Sequence, residues 1–305
     1  MKKICLLAAL AVAMPTARLA AQEKQSAKDV ITFSVGDFLV STLSEGQQSG
    51  SGDVLIGATP DMLKKYLPEG TYPSAVNAFL VRTPDKTVLI DAGFGRKLFD
   101  NMQSLGVSAE QVGAVLLTHM HGDHIGGLLR GDEPAFPNAE LYIAQPEHDY
   151  WTSDKAMQAV PENRRGGFRQ AQKVIAAYKS RLRLFAPNAL GAATPNLFAG
   201  FLGIAAFGHT PGHTAYLLES DNSRLLIWGD LTHAMRIQMP RPDVAVTYDV
   251  NPKTAAESRR SLLEYAAKNK IPVGGMHVAY PAIGNVKASS KEGYEFEEFC
   301  TCLGL

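Results

Sequence analysis

The sequence predicts an α/β fold in which two β-sheets pack face to face with helices outside, and three observations carry that reading. Strand-like segments dominate the first part of the 305-residue chain, and a mixed strand and helix block follows. A second strand-then-helix block then repeats the order. No linker separates the two blocks, so residues 22–305 read as one domain with a shared core. Composition agrees: 46% hydrophobic and 20% charged residues suit a globular chain that buries a large core, and exclude disorder.

The first element is a leader. Met1, Lys2 and Lys3 precede the apolar run 4–14, Pro15 breaks it, and Ala17, Ala20 and Ala21 follow. A positive start, a short apolar core and a small-residue exit mark residues 1–21 as a cleaved signal peptide, which places the mature chain in the periplasm or outside the cell. No apolar run reaches the ~18 to 20 residues of a membrane span, so no membrane anchor is expected. The 30 basic and 30 acidic side chains balance. Loss of Lys2, Lys3 and Arg18 leaves 27 against 30. A chain without basic excess is not expected to bind nucleic acid. Cys300 and Cys302 remain, two apart, and are either free or bridged through a bulge.

The remaining elements follow in order. Residues 31–43 alternate as one or two strands, and the Gly- and Ser-rich stretch 44–70 reads as a loop or cover. Residues 77–81 and 87–90 form a hairpin around Pro84 and Asp85, ending in the turn Asp91-Ala92-Gly93. A helix over 97–105 and another from Ser108 lead to apolar strands at 114–117 and 141–144. Helices fill 146–180, with breaks at Pro161 and Gly166-Gly167. A second strand block starts near Arg183 and includes 203–207, 215–219 and 225–228. Residues 255–268 form a helix with an apolar stripe at Leu262, Leu263 and Ala266, opened by a capping box of Thr254 and Glu257. Residues 273–276 form a last inner strand.

The histidines carry the chemistry. Three of the eight fall in Thr118-His119-Met120-His121-Gly122-Asp123-His124-Ile125-Gly126-Gly127, directly after an apolar strand. His119 and His121 can point at one cation, while Asp123 and His124 reach a second from the next short turn. Gly122, Gly126 and Gly127 let the backbone fold that tightly. Nitrogen and carboxylate donors together suit zinc, with iron or manganese open.

This run resembles the signature of the metallo-β-lactamase superfamily, whose fold is an αββα four-layer sandwich. Three further motifs match in order: Gly208-His209-Thr210-Pro211-Gly212-His213-Thr214, Trp228-Gly229-Asp230 and Gly275-Met276-His277. Asn77-Ala78-Phe79-Leu80 and Asp91-Ala92-Gly93 fit the family's opening hairpin. The resemblance implies two divalent metal ions, most simply Zn2+. His119, His121 and His213 would hold the first, and Asp123, His124 and His277 the second, with Asp230 bridging. It implies that His209 orients the ligand loop from behind. His148 has no motif and reads as a surface helix residue.

Such a metal pair can bridge and deprotonate one water near neutral pH. The reaction implied is hydrolysis of a small-molecule substrate, with Asp123, Asp230 and His233 in the catalytic set. A bridging Asp230 resembles the lactonase, thioesterase and phosphoesterase branches rather than true β-lactamases. The pattern is similar to the N-acyl homoserine lactonase-related branch that also contains methyl parathion hydrolase. Gly36-Asp37-Phe38, Ala135-Phe136-Pro137-Asn138-Ala139 and Pro281-Ala282-Ile283-Gly284 carry that likeness. Lactones or related esters are the expected substrates, with organophosphate triesters as the alternative. A β-lactamase or a non-catalytic metal-binding protein stands further off. Where the homoserine lactonases place a substrate-facing Tyr, this chain has His233, either a proton donor or a loop-bound residue. Trp151 and Phe168 fall where the family builds pocket walls, although aromatics on a helix more often belong to the core, and Met235, Ile237 and Met239 either line the same cavity or form a buried strand. Arg164-Arg165 reads as a solvated face. The relatives commonly dimerise, so a homodimer is an expectation of the resemblance alone.

Overall fold

A computed structural model describes residues 29–192 and 197–299. The expected leader, Cys300 and Cys302 lie outside the described residues. Among the described residues thirteen strands build two main sheets, and in each sheet the spatial order follows the chain. The first holds β1 (Val30–Val35), β2 (Phe38–Ser51), β3 (Thr71–Arg82), β4 (Thr87–Ile90), β5 (Val112–Leu116), β6 (Glu140–Ala144) and β7 (Leu182–Phe185). The second holds β8 (Phe201–Ala205), β9 (Thr214–Ser220), β10 (Ser223–Ile227), β11 (Val273–Gly274), β12 (Ile283–Ala288) and β13 (Tyr294–Glu298). Antiparallel pairing links β1 to β4, and parallel pairing links β4 through β7. In the second sheet only β10 and β11 run parallel.

The period-two pattern of the strands divides the core. Val88 and Ile90 face the second sheet and pack with Tyr216, Leu218 and Ile227. Leu89, between them, turns to the outer helices and joins Leu98, Phe168 and Val174. The helix Arg165–Ala177 buries Phe168, Ala171 and Val174 at helical spacing. On the far side the helix Pro252–Asn269 covers the second sheet with Leu262, Leu263 and Ala266, as its sequence stripe implies. The layers are therefore helix, sheet, sheet, helix. Asn77 crosses between the sheets, donating through Nδ2 to Met276 O at 3.0 Å and Val278 O at 2.8 Å.

Several expectations change. Residues 44–51 continue β2 and pair with 71–77, and the helix Pro60–Tyr66 follows. Ladder pairing needs no apolar alternation, and this stretch borders a cavity carrying polar groups, so its sequence hides the strand. The strand near Arg183 pairs with β6 and closes the first sheet instead of opening the second. Gly166 and Gly167 lie within the first turn of the long helix instead of breaking it. Asn251, not Thr254, caps the last helix, its side chain accepting from Thr254 N–H at 3.1 Å. Among the described residues no helix is long and apolar enough to cross a membrane.

Candidate metal centre

All motif loops meet at one end of the sandwich. Leu117 to His121 follow β5, Asp230 follows β10, His277 follows β11, and the His209 loop leads into β9. The short helix Gly122–Ile125 starts at His121 and presents Asp123 and His124 from its first turn.

Two groups of donors result. In the first, His119 Nε2 stands 2.9 Å from His121 Nδ1, and His209 Nε2 stands 3.0 Å from the same Nδ1 and 3.2 Å from Asp230 Oδ2. In the second, His277 Nε2 lies 3.4 Å from Asp123 Oδ2 and 3.0 Å from Asp230 Oδ2. His124 Nε2 lies 3.8 Å from Asp123 Oδ1 and 3.2 Å from Asp230 Oδ1. Asp230 thus faces both groups. His124 Nε2 and Asp230 Oδ1 are buried with no hydrogen-bond partner among the described residues, although both atoms require one. Imidazole nitrogens turned on one another beside unpartnered carboxylate oxygen fit a divalent cation.

Groups behind the ring atoms fix these orientations. His124 Nδ1 meets Asp91 Oδ2 at 2.7 Å, and Asp91 also accepts from Thr118 N–H at 2.8 Å and Thr118 Oγ1 at 2.6 Å. Asp91 holds its place at φ +56, the left-handed region that aspartate tolerates. His209 Nδ1 meets Asp249 Oδ1 at 2.8 Å, and His277 Nδ1 donates to Ala75 O at 2.8 Å. Such contacts select the tautomer and free Nε2 for the cation.

The charge pattern follows. Burial drives His119 well below its usual range, and burial with the neighbouring His209 charge brings His121 down to about 3. Burial also opposes charge on His209, but the Asp230 and Asp249 carboxylates win and lift it to about 9. Against the same burial, Asp230 raises His124 and His277, and these histidines hold Asp230 well below the carboxylate range.

The third histidine is corrected. His213, expected beside His119 and His121, spends both ring nitrogens elsewhere: Nδ1 donates to Ala206 O at 2.8 Å and Nε2 accepts from Asp230 N–H at 2.9 Å. His209, expected behind the site, occupies the inward position. His119, His121, Asp123, His124, Asp230 and His277 come together at this end of the sandwich.

A cavity of about 510 Å³ opens onto both groups, lined by Ser49, Tyr72, Asp123, His233, Tyr248 and His277 among others. His233 reaches Asp230 Oδ2 with Nε2 at 3.0 Å, and its buried Nδ1 has no partner among the described residues. Trp151 and Phe168 do not line this cavity. They pack on each other at 4.7 Å in the core under the first sheet, with Trp151 edge-on behind His121 at 5.6 Å. Met235 starts the short helix Met235–Gln238 rather than a strand. With Met239 it borders a separate depression of about 850 Å³ that holds none of the donors. Ile237 is buried beside Leu67 and Tyr72. His148 is a partly exposed helix residue beside Asp149. The sequence reading missed Asp91, Glu147, Asp249, Tyr72 and Tyr248 as parts of the site. Only Asp91 carried a signal, the turn after β4.

Residues 71–270 match the Metallo-beta-lactamase superfamily. The chain belongs to that superfamily. Its αββα architecture and metal-binding His/Asp cluster are those of a metallo-β-lactamase-fold hydrolase. A solved structure described as hydrolase AbOPH in the beta lactamase superfamily is 28% identical, with a TM-score of 0.80 over 90% of this chain and 99% of that one. AidC, a dizinc quorum-quenching lactonase, is 28% identical with a TM-score of 0.79, over 89% and 98% of the two chains. The acyl-coenzyme A thioesterase MBLAC2 of Gallus gallus is 27% identical over 170 residues, 52% of this chain and 57% of the relative. The anti-Pycsar protein Apyc1 of Paenibacillus sp. (strain J14) is 46% identical over 52 residues, 17% of this chain and 20% of the relative. The match therefore spans less than two thirds of each of these two curated relatives.

Proposed function

We propose that this superfamily member hydrolyses lactones or related small esters with two divalent cations, zinc in the first instance. One observation carries the reading: Asp230 presents a carboxylate to both the His119, His121, His209 group and the Asp123, His124, His277 group. The likeness to AidC over most of both chains supports lactone as the substrate class. His119, His121 and His209 would hold the first cation, Asp123, His124 and His277 the second, and Asp230 both. When bound, such a pair supplies a deprotonated water and polarises the substrate oxygen.

The protein supplies the rest. Gln238 Oε1 accepts from His233 N–H at 2.7 Å and Ala234 N–H at 3.0 Å, and so pins the loop that carries His233 into the cavity. With Nε2–H directed at Asp230 Oδ2, the unpartnered Nδ1 of His233 carries a lone pair; it would take the proton given up by the attacking water and return it to the leaving alkoxide. Tyr248 packs edge-on against the His233 ring at 4.9 Å and holds its tilt. The test is turnover by zinc-loaded protein on aliphatic lactones, an aryl lactone, paraoxon-type triesters and a cephalosporin. Highest kcat/KM on a lactone is expected. Preference for a triester or the cephalosporin would overturn the substrate class while leaving the metal assignment intact.

A further inference from the structure

Glu147 is 1% exposed, and none of the chemistry above uses it. It lies in the helix Gln145–Trp151, and its two oxygens take four donors. Oε1 accepts from Met120 N–H at 2.9 Å and Trp151 Nε1–H at 2.6 Å. Oε2 accepts from Thr210 Oγ1 at 2.6 Å and Gly212 N–H at 2.9 Å. Met120 stands between His119 and His121, and Thr210 follows His209. One carboxylate therefore ties together the two loops that carry the histidines of the first group. The approach is close: a Cβ on Gly212 would lie 2.2 Å from Glu147 N.

All four partners donate, so the ionised carboxylate satisfies every one of them, while a protonated oxygen would turn an O–H on a donor. The second group is anchored differently, by Asp91 behind His124 and Ala75 O behind His277. Glu147 makes no contact with Asp123, His124 or His277 among its hydrogen bonds.

We propose that Glu147 is a positioning residue for the first cation site, setting the separation between the His119–His121 loop and the His209 loop. The proposal rests on the two-cation reading above. A carboxylate that merely supported the fold would weaken both sites together, through the stability of the metal-free chain. A clamp on these two loops weakens one site.

The experiment compares wild type, E147Q, E147D and T210V, the last removing one donor while keeping the carboxylate. Metal-free protein is titrated with zinc by calorimetry, bound metal is counted by elemental analysis, and melting of the metal-free form is recorded. H277A and H121A backgrounds report the first and second sites separately. Expected is a roughly 10–100-fold loss of affinity in E147Q/H277A, a smaller loss in T210V/H277A, partial recovery in E147D/H277A, and unchanged affinity in E147Q/H121A. Equal losses in both backgrounds, or no loss in either, would overturn the proposal. If the Glu147 variants do not fold, T210V in the two backgrounds decides by the same comparison. A wild type that binds one cation defeats the two-cation reading instead, and the affinity of that cation in T210V still reports on the clamp.

Discussion

Asp249 Oδ1 stands 2.8 Å from His209 Nδ1, and this contact turns His209 Nε2 toward Asp230 and His121. His213, four residues on, spends its ring on Ala206 O and Asp230 N–H. Replacing His209 with Ala is therefore expected to remove one cation per chain. His213→Ala is expected to retain both with weaker binding. Metal analysis after dialysis checks this, and the opposite ranking would return His213 to the ligand set.

Asp249→Asn keeps the shape of the contact but removes its charge. First-cation affinity should fall by roughly 10–100-fold. Calorimetry in a His277→Ala background measures it directly, and unchanged affinity would show that the backbone alone orients His209.

His233→Phe deletes the proposed proton donor and keeps a flat ring. We expect kcat on a lactone to fall by roughly a hundredfold at unchanged metal content. Unchanged turnover would leave His233 as a loop-bound residue.

The metal-free chain should depend on pH through His209. Its folded value, raised to about 9 from 6.5, gives a stabilising contribution fully present below 6.5 and lost as pH rises through about 9. Melting temperature of the metal-free protein should carry that decline. A cation needs the nitrogen unprotonated, so zinc binding near neutral pH should release protons. Calorimetry in buffers of different ionisation enthalpy reads the release, and identical heats would contradict it.

The mature protein is expected to begin at Gln22, with export following from residues 1–21. N-terminal sequencing of protein recovered from the periplasm or medium checks this, and an intact Met1 would contradict it.

The metal run was readable because it is local: His119, His121, Asp123 and His124 sit on one tight turn after an apolar strand, and that strand announced itself by composition. The choice between His209 and His213 was not. Both occupy one short motif, and which ring turns inward depends on Asp249, far along the chain, and on the Asp230 amide. Glu147 and Asp249 are single acidic residues without local pattern, so only the folded contacts reveal them. Residues 46–51 pair as strand with polar side chains beside the cavity, so the alternation that marks a half-buried strand is missing. Trp151 and Phe168 pack in the core and not on the cavity, a choice their sequence leaves open because an aromatic on a helix reads alike as a pocket wall or a core residue. Here Trp151 NH is spoken for by Glu147.

Asn77 reaches across from the first sheet to the carbonyls flanking His277 on the second. The two donor groups therefore draw on both sheets, and neither sheet alone carries a complete cation site. Metal capture is thus conditional on the sandwich having closed. A bound divalent cation would then act as a latch on the finished sheet pairing, favouring by mass action only chains whose halves have already met.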